Sequence, residues 1–479
     1  MEGELGSDPT SIKNTFFVNG QEIAIISDPA HALKNMRNAW RNTKELLISD
    51  KHVEDYGLET NSVYWHVLEK VVEFQDSREL KIAPHLTAAC LHLNVFTKMD
   101  VKLAMYVFSW ETATAITTLC QEYPDEFPSH FLTTAFFIEM VARWWEIIHS
   151  RSRTMCFFTK GNDDAWRKNQ DSLEKFMDLY SNMIISDSQV RSYWPSQKSV
   201  LLSSKSILWL AETFVKSEGF AFFLPGRCLN DCIENFFSVV RLMNKAPTAL
   251  MFKRFAKAIC VSQFLRYSPN GSYEEDDSIE FLSNLEDFKS VEKNLADEGD
   301  DIMVEFDKSE FDPQDFAEDA TLAYFGGSLL KLLVKDKCER CEKMFIVHET
   351  ESQKVNLLIK LRELKTGALV TPTEVANLMF KTAELTFRAT RVDLLESNKN
   401  LEKKLVKIVM DELKKDIPSL QTCHLESIMS KFMRTRLKYW ARFSNRLLQL
   451  DQQNDIASAA NGSASMKQVQ VTKNRKAKH

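Results

Sequence analysis

Along most of the chain the apolar residues return every three or four positions, as in Leu103, Tyr106, Val107, Trp110 and Ala113. That period places one apolar stripe on a helix. It predicts helices over Val63 to Phe74, Pro84 to Val95, Asp100 to Cys120, Pro128 to Ser150, Asn169 to Met183 and Ser203 to Val215. No alternation of apolar and polar residues points to a sheet within this all-α body. Asp231 to Leu265 reads as helix rich in Phe, and Ala320 to Leu450 as helix with Leu and Lys interleaved. Near the front, Gln21 to Ser27 is a short Ile-dominated run ending at Asp28-Pro29. It predicts a buried strand that delivers Asp28 at its carboxyl end, followed by a helix over Ala30 to Trp40. No internal repeat is present.

Composition supports a folded, mainly helical chain: 44% of the 479 residues are hydrophobic and only 13 Gly and 12 Pro punctuate them. The richest apolar stretch, Phe131 to Ile148, contains Glu139, Arg143 and Glu146, so no run is long and apolar enough for a membrane span. The first residues carry neither the basic start nor the apolar core of a signal peptide, and an intracellular, reducing setting is expected. The nine Cys are irregularly spaced and read as buried small side chains, except for the lone Cys-x-x-Cys of Cys338 and Cys341. Zinc requires about four ligands. The nearest completions, His348 and the distant Cys423 with His424, make no recognised spacing, and plain structural cysteines are the alternative.

The net charge of −6 argues against indiscriminate nucleic-acid binding by the whole chain, yet charge is segregated. Gly271 to Asp319 holds about 19 acidic residues against three Lys, whereas Lys431 to Arg446 and the tail beyond Lys467 are basic. Segment 269–319 therefore reads as an acidic linker and 451–479 as a disordered basic tail.

Specific motifs sharpen this outline. Asp28-Pro-Ala-His-Ala-Leu-Lys-Asn-Met-Arg-Asn38 resembles the Asp-Pro-Pro-His-Leu-Leu-Lys-x-x-Arg-Asn motif of P-element and THAP-type transposases. Leu229-Asn-Asp-Cys-Ile-Glu-Asn-Phe-Phe-Ser-Val-Val-Arg241, followed by Asn244-Lys-Ala-Pro-Thr-Ala-Leu-Met-Phe-Lys253, is similar to a second landmark of that family. His92-Leu with Lys98 to Ala104 and Val107-Phe-Ser109 is similar to its helical insertion, and Ala323-Tyr-Phe-Gly-Gly with Cys338-Glu-Arg-Cys341 to its C-terminal region.

The resemblance implies a mainly α chain. A remnant of an RNase H-like α/β core (1–59 and 229–268) is split by a helical GTP-binding-type insertion domain (60–228), and a helical C-terminal region (320–450) follows. It implies a polynucleotidyl transferase ancestry, nuclear location, DNA as partner and self-association as an option. Such cores hold two Mg²⁺ ions about 3.5–4 Å apart between carboxylates from separate elements. By the same resemblance Asp28 and Glu234 are the second and third acids. The first belongs on an earlier strand, for which Asp8, beside Pro9 in a polar stretch, is a poor candidate; neither the opening strands of the core nor a zinc-fingered THAP domain is expected here. Thr97-Lys98-Met99-Asp100 resembles the Thr/Asn-Lys-x-Asp element that reads guanine, making Lys98 and Asp100 candidate GTP contacts, although no phosphate-cradling Gly-rich loop accompanies them.

Simpler readings stand beside these. Asp28 caps a helix; Glu234 is a solvated helical residue; His31 orients Asp28 or packs; Lys34, Arg37 and Arg241 touch phosphate or water. Trp144, Trp145, Phe136 and Phe137 form core or stack on bases. Lys431, Arg434, Arg436, Lys438, Arg442 and Arg446 make a solvated face or a phosphate-contacting one. Leu394, Leu395, Leu401 and Leu405 are an interaction stripe or core. Three functions follow: a domesticated transposase-like protein without DNA cleavage or strand transfer that keeps DNA or partner binding, a partial product of an active Mg-dependent transposase, or a helical interaction scaffold.

Overall fold

The computed structural model describes residues 12–94, 97–153, 158–185, 195–244, 246–265, 311–347, 354–363, 369–395, 401–418, 420 and 422–441. The side chains of 231, 232, 234, 235, 238, 262–265, 335 and 392–395 are outside that description. In chain order the elements are β1 (Thr15–Val18), β2 (Gln21–Ala24), α1 (Pro29–Thr43), β3 (Glu45–Leu47), α2 (Asp50–Tyr56), β4 (Ser62–Tyr64), α3 (His66–Asp76), α4 (Ala88–Leu91), α5 (Val101–Val107) and α6 (Trp110–Glu122). Then come α7 (Leu132–Ile148), β5 (Phe158–Thr159), α8 (Asp163–Ser181), α9 (Pro195–Ala211), β6 (Phe222–Phe223), α10 (Asp231–Met243) and α11 (Ala249–Leu265). The last group is α12 (Phe316–Asp336), α13 (Glu339–Phe345), α14 (Leu357–Arg362), α15 (Glu374–Leu395), α16 (Leu401–Asp416) and α17 (425–441).

The fold is mainly α, as the 3.6-residue period predicts. Among the described residues the sheets are three antiparallel two-stranded ribbons, β1–β2, β3–β4 and β5–β6. Strands of two to four residues are too short to print an alternation on the sequence, so β4, β5 and β6 leave no signal within the helical body. The run at Gln21 is corrected as well: β2 stops at Ala24 and is mostly exposed, with Phe17 of its partner β1 71% exposed. Of its Ile residues, Ile23 belongs to a surface hairpin turned at Asn19-Gly20, while Ile25 and Ile26 follow it as half-buried extended chain.

Two compact units divide the chain: residues 1–43 with 140–303, and 44–139 with 304–479. In the first, α1 and α8 both pack on α9. Serines on α9 serve the extended chain before α1: Ser199 Oγ pairs with Ser27 Oγ at 2.7 Å, and the Ser203 and Ser206 hydroxyls donate to the carbonyls of Ser27 and Ile25 at 2.5 Å. The sequence places these residues at steps of four and three on one helical face. The Ser203 and Ser206 hydroxyls thereby give partners to part-buried backbone carbonyls.

In the second unit two of the expected helices are interrupted for visible reasons. The span Asp100 to Cys120 breaks at Phe108 because Ser109 caps α6, its Oγ accepting from the Thr112 N–H at 3.1 Å. Among its described residues the span Pro84 to Val95 is α-helical only over Ala88–Leu91: buried Gln75 donates to the Ala83 and Leu86 carbonyls and accepts from the Ala83 N–H. These bonds hold the segment as irregular chain.

Helices α12, α15, α16 and α17 share one apolar core containing Leu330, Phe380, Leu405, Val409, Leu413 and Phe432. Buried residues Leu405, Val409 and Leu413 lie on one stripe of α16, so the leucine pattern there is core packing. Leu401 packs against the same core, while the Leu394 and Leu395 side chains lie outside the described residues. The helix α12 begins at Phe316, inside the segment read as acidic linker, with Asp315 capping it. Gly326 and Gly327 in α12 admit close neighbours: a Cβ on Gly326 would lie 2.3 Å from the Phe380 ring, and one on Gly327 2.2 Å from the Val370 carbonyl oxygen. Gly327→Ala is therefore expected to destabilise this unit by about 1–3 kcal/mol through overpacking, read as a lowered unfolding midpoint. An unchanged midpoint would show that the Val370 segment yields freely.

Candidate functional site

Asp28 closes the extended chain and opens α1. Its Oδ1 accepts from the Ala30 N–H at 2.9 Å, its backbone carbonyl accepts from the Ala32 N–H, and its Oδ2 pairs with His31 Nδ1. Both carboxylate oxygens are thus engaged by the first turn of the helix that follows, the arrangement of an N-cap. His31 is itself exposed, so it orients Asp28 and does not pack. Lys34 and Arg37, read as surface cations, are buried at 5% and 0% exposure. The Arg37 Nε and Nη2 groups donate to the Asn38 side-chain oxygen at 3.2 and 3.1 Å. A buried guanidinium of this kind holds structure together and is not presented to a phosphate.

Glu234 lies on α10, and its side chain is outside the described residues. The landmark around it nevertheless has a physical explanation. Asn244 ends α10 and its Oδ1 accepts from the Ala246 N–H; Thr248 begins α11 with Oγ1 accepting from the Met251 N–H. Pro247 between them suits a helix start, having no N–H to satisfy. The two helices then meet through Phe237 and Phe252, ring centroids 5.9 Å apart, and Phe236 edge-on to Phe252 at 6.0 Å. On this pair Arg241, Lys253, Arg254 and Lys257 are exposed. Lys253, Arg254 and Lys257, one and four positions apart, share a side of α11.

Thr97–Met99 is a single 3-10 turn, held from behind by reciprocal bonds between Asn94 and Thr97. Lys98 and Asp100 are both exposed there. Asp100 caps α5, its Oδ1 accepting from the Lys102 N–H at 2.8 Å.

The remaining candidates resolve toward structure. Trp144, Trp145 and Phe137 are buried and Phe136 is half-buried. Arg436 is 3% exposed and bonded to Glu384, and Arg434 is paired with Glu402, so these two are engaged by carboxylates of the chain, while Lys431 is exposed; Arg442 and Arg446 lie outside the described residues. A cluster of ion pairs that the sequence alone does not disclose surrounds Arg436. Arg388 joins Glu318 and Glu384 at 2.9 Å each, Arg436 grips Glu384 with two bonds of 2.6 Å, and Arg391 clasps Glu79. Burial would raise the Glu79 carboxyl, but its bond to Arg391 and the charges of Arg391, Arg388 and Arg436 outweigh it and hold Glu79 below the usual range. The i, i+4 spacing of Glu384 and Arg388 is the signal that could have found it.

Among the described residues, the cluster able to supply three or more metal-binding side chains is Cys338, Cys341, Cys423 and His424. The Cys341 N–H and the thiols of Cys341 and Cys423 pull the Cys338 thiol down to about 7, whereas burial pushes Cys341 up to about 11.

Residues 30–160 match the family model described as a TNP-like, GTP-binding insertion domain. No curated protein matches the chain. Among solved structures, the Drosophila P element transposase strand transfer complex is similar with a TM-score of 0.44 and 21% identity. That likeness covers 53% of this chain and 55% of the other, so the chain spans about half the length of the transposase it matches.

Proposed function

We propose that this chain is a P-element-like transposase-derived protein that binds DNA in the nucleus without cutting or joining it, a reading supported by the match of residues 30–160 to the TNP-like, GTP-binding insertion domain. The observation that carries the reading is the state of Asp28. Two Mg²⁺ ions need several free carboxylate oxygens from separate elements, whereas both Asp28 oxygens serve the start of α1. Each Asp28 oxygen has one of its acceptor sites committed to that turn, which weakens the carboxylate as a holder of two ions, and no step is routed through Mg²⁺ at Asp28 and Glu234.

DNA binding is assigned to the exposed cations of the α10–α11 pair, Arg241, Lys253, Arg254 and Lys257. Incubated with duplex DNA and Mg²⁺, the full chain should retard the duplex, weaken steeply with salt and yield no nicked or joined product. Changing Lys253, Arg254 and Lys257 together to Glu should weaken binding at least tenfold and flatten the plot of log affinity against log salt by about 3, near 0.9 for each lost phosphate contact. Turnover abolished by Asp28→Asn would overturn the loss of cleavage. Undiminished binding by the triple variant would remove DNA from this face.

GTP is the second proposed ligand, with Lys98 and Asp100 reading the guanine edge from their exposed turn. Asp100→Asn keeps the cap on α5 but removes an acceptor for the two base hydrogens. A charge-assisted hydrogen bond contributes about 1.5–3 kcal/mol, so a fluorescent GTP analogue should bind the variant about 10–100-fold more weakly. Equal binding would place base recognition elsewhere.

A scaffold function is the alternative. It is favoured by the apolar exposure of the same helix pair, where Leu242 is 86% exposed, Leu250 60% and Ile233 57%. Self-association without salt-dependent DNA binding would select it.

A further inference from the structure

Three cysteines and a histidine, separated by more than eighty positions of sequence, converge at one edge of the C-terminal helical core. Lys337 ends α12 in the left-handed conformation, φ 50° and ψ 40°, and this sharp turn brings Cys338 to the start of α13. One turn into α13, Cys341 is fully buried. Cys423 and His424 form the turn before α17, where the His424 carbonyl accepts from the Ile428 N–H.

The four donor atoms form a small cage. Cys423 Sγ lies 3.5 Å from both Cys338 Sγ and Cys341 Sγ, while His424 Nδ1 lies 3.4 Å from Cys341 Sγ and 3.2 Å from Cys423 Sγ. All four lie within 4.8 Å of one another. A tetrahedron with Zn–S near 2.3 Å and Zn–N near 2.0–2.1 Å has edges of about 3.8 Å between sulfurs and about 3.6 Å between sulfur and nitrogen. The four edges given above match that size to within a few tenths of an ångström. A disulfide requires sulfurs about 2.05 Å apart, and these three cysteines are free. Three thiols pushed together with an imidazole nitrogen gain little from one another, because S–H is a weak donor and sulfur a weak acceptor.

The far side of the histidine supplies an independent observation. His424 Nε2 faces the Asp336 carboxylate at 3.8 Å, beyond direct hydrogen-bond length but in the carboxylate–histidine order that orients a metal-binding imidazole. Nδ1 is thereby left toward the sulfurs. Three soft thiolates and one imidazole in a tetrahedral arrangement select zinc over the hard, oxygen-seeking cations.

We infer that Cys338, Cys341, Cys423 and His424 bind one structural zinc ion, which ties the α12–α13 turn to the start of α17. With four protein ligands the ion has no open position, so the site braces the C-terminal region and performs no chemistry. It stands independently of the proposed DNA and GTP functions.

The test uses the full untagged chain, purified without added metal. Elemental analysis should find about one zinc per chain, and exchange into Co²⁺ should produce visible d–d bands with thiolate charge transfer in the near ultraviolet. Cys338→Ser with Cys423→Ser should abolish both signals. His424→Cys, which keeps a four-donor set, should retain stoichiometric metal and shift the cobalt bands. Asp336→Asn should weaken zinc about 10–100-fold. Since the double variant can also fail by unfolding, the wild-type cobalt spectrum is decisive by itself. A chain that carries no zinc and gives no tetrahedral cobalt spectrum overturns the assignment, as does a spectrum that persists unchanged in the double variant. A disulfide between any two of these cysteines in the native protein overturns it too.

Discussion

Glu384→Leu is expected to destabilise the second compact unit by about 3–5 kcal/mol, the cost of leaving a buried ionic partner uncompensated. The Glu384 side chain is 3% exposed, and its two oxygens hold Arg388 and Arg436, whose side chains are as deeply buried. In the intact cluster the charges of Glu79, Glu318 and Glu384 balance those of Arg388, Arg391 and Arg436. Removing Glu384 alone leaves one positive charge in excess in a place that water scarcely reaches. Glu318 cannot compensate, because one oxygen already accepts from the Glu79 and Leu80 N–H groups at 2.7 and 3.0 Å while the other holds Arg388. Removing Arg436 as well restores the balance. The double variant Glu384→Leu with Arg436→Met should therefore be more stable than Glu384→Leu alone, although it carries one more substitution. Hydrogen exchange on α15 and α17 reads this unit without mixing in the other. A double variant less stable than the single would show that Arg436 contributes by packing on Phe387, whose ring centroid it approaches to 4.9 Å, and not by charge.

Periodicity reveals which residues face inward, and for that reason the helical character is legible in the sequence. What it cannot distinguish is continuous helix from two helices in register. Leu103 to Ala113 keeps its stripe through the break at Phe108, so the break is hidden. Nor does periodicity register a side chain that replaces backbone bonds, as Gln75 does for Ala83 and Leu86. Among the candidate residues, Asp28 makes the bond to the first turn that an acid just before a helix ordinarily makes. Arg37 and Arg436 mislead because a cation on an amphipathic helix looks the same in sequence whether it faces water or a buried acceptor. The CxxC is visible in the sequence, but its completion is not. Cys423 and His424 are adjacent to each other and about eighty positions from Cys341, a spacing that only the return of α17 along α12 and α13 brings together.

The bulky aromatics of α7 pose the same question of core against ligand, and here a mutation separates the answers. Trp144 is 1% exposed; its Nε1–H donates to Ser204 Oγ at 2.9 Å, and its ring centroid lies 5.6 Å from that of Phe176. Phe176 stacks in turn on Tyr180, whose hydroxyl is bonded to Ser196 at the start of α9. One indole thus links α7, α8 and α9, and Trp144→Ala should destabilise the first unit by about 3–5 kcal/mol, because the buried indole surface disappears and its neighbours close only partly over the cavity. Trp144→Phe keeps most of the apolar volume but strands the Ser204 hydroxyl, at about 1–3 kcal/mol. A ring so enclosed cannot stack on a base without unfolding its surroundings. Under conditions where Trp144→Phe remains folded, its DNA affinity should equal that of the wild type, whereas a stacking platform would lose about 1–3 kcal/mol per base on truncation. The two measurements, an unfolding curve and a DNA titration on the same variant, should therefore move apart: stability falls and affinity holds. If affinity falls while stability holds, Trp144 contacts nucleic acid and the core around it opens when DNA binds.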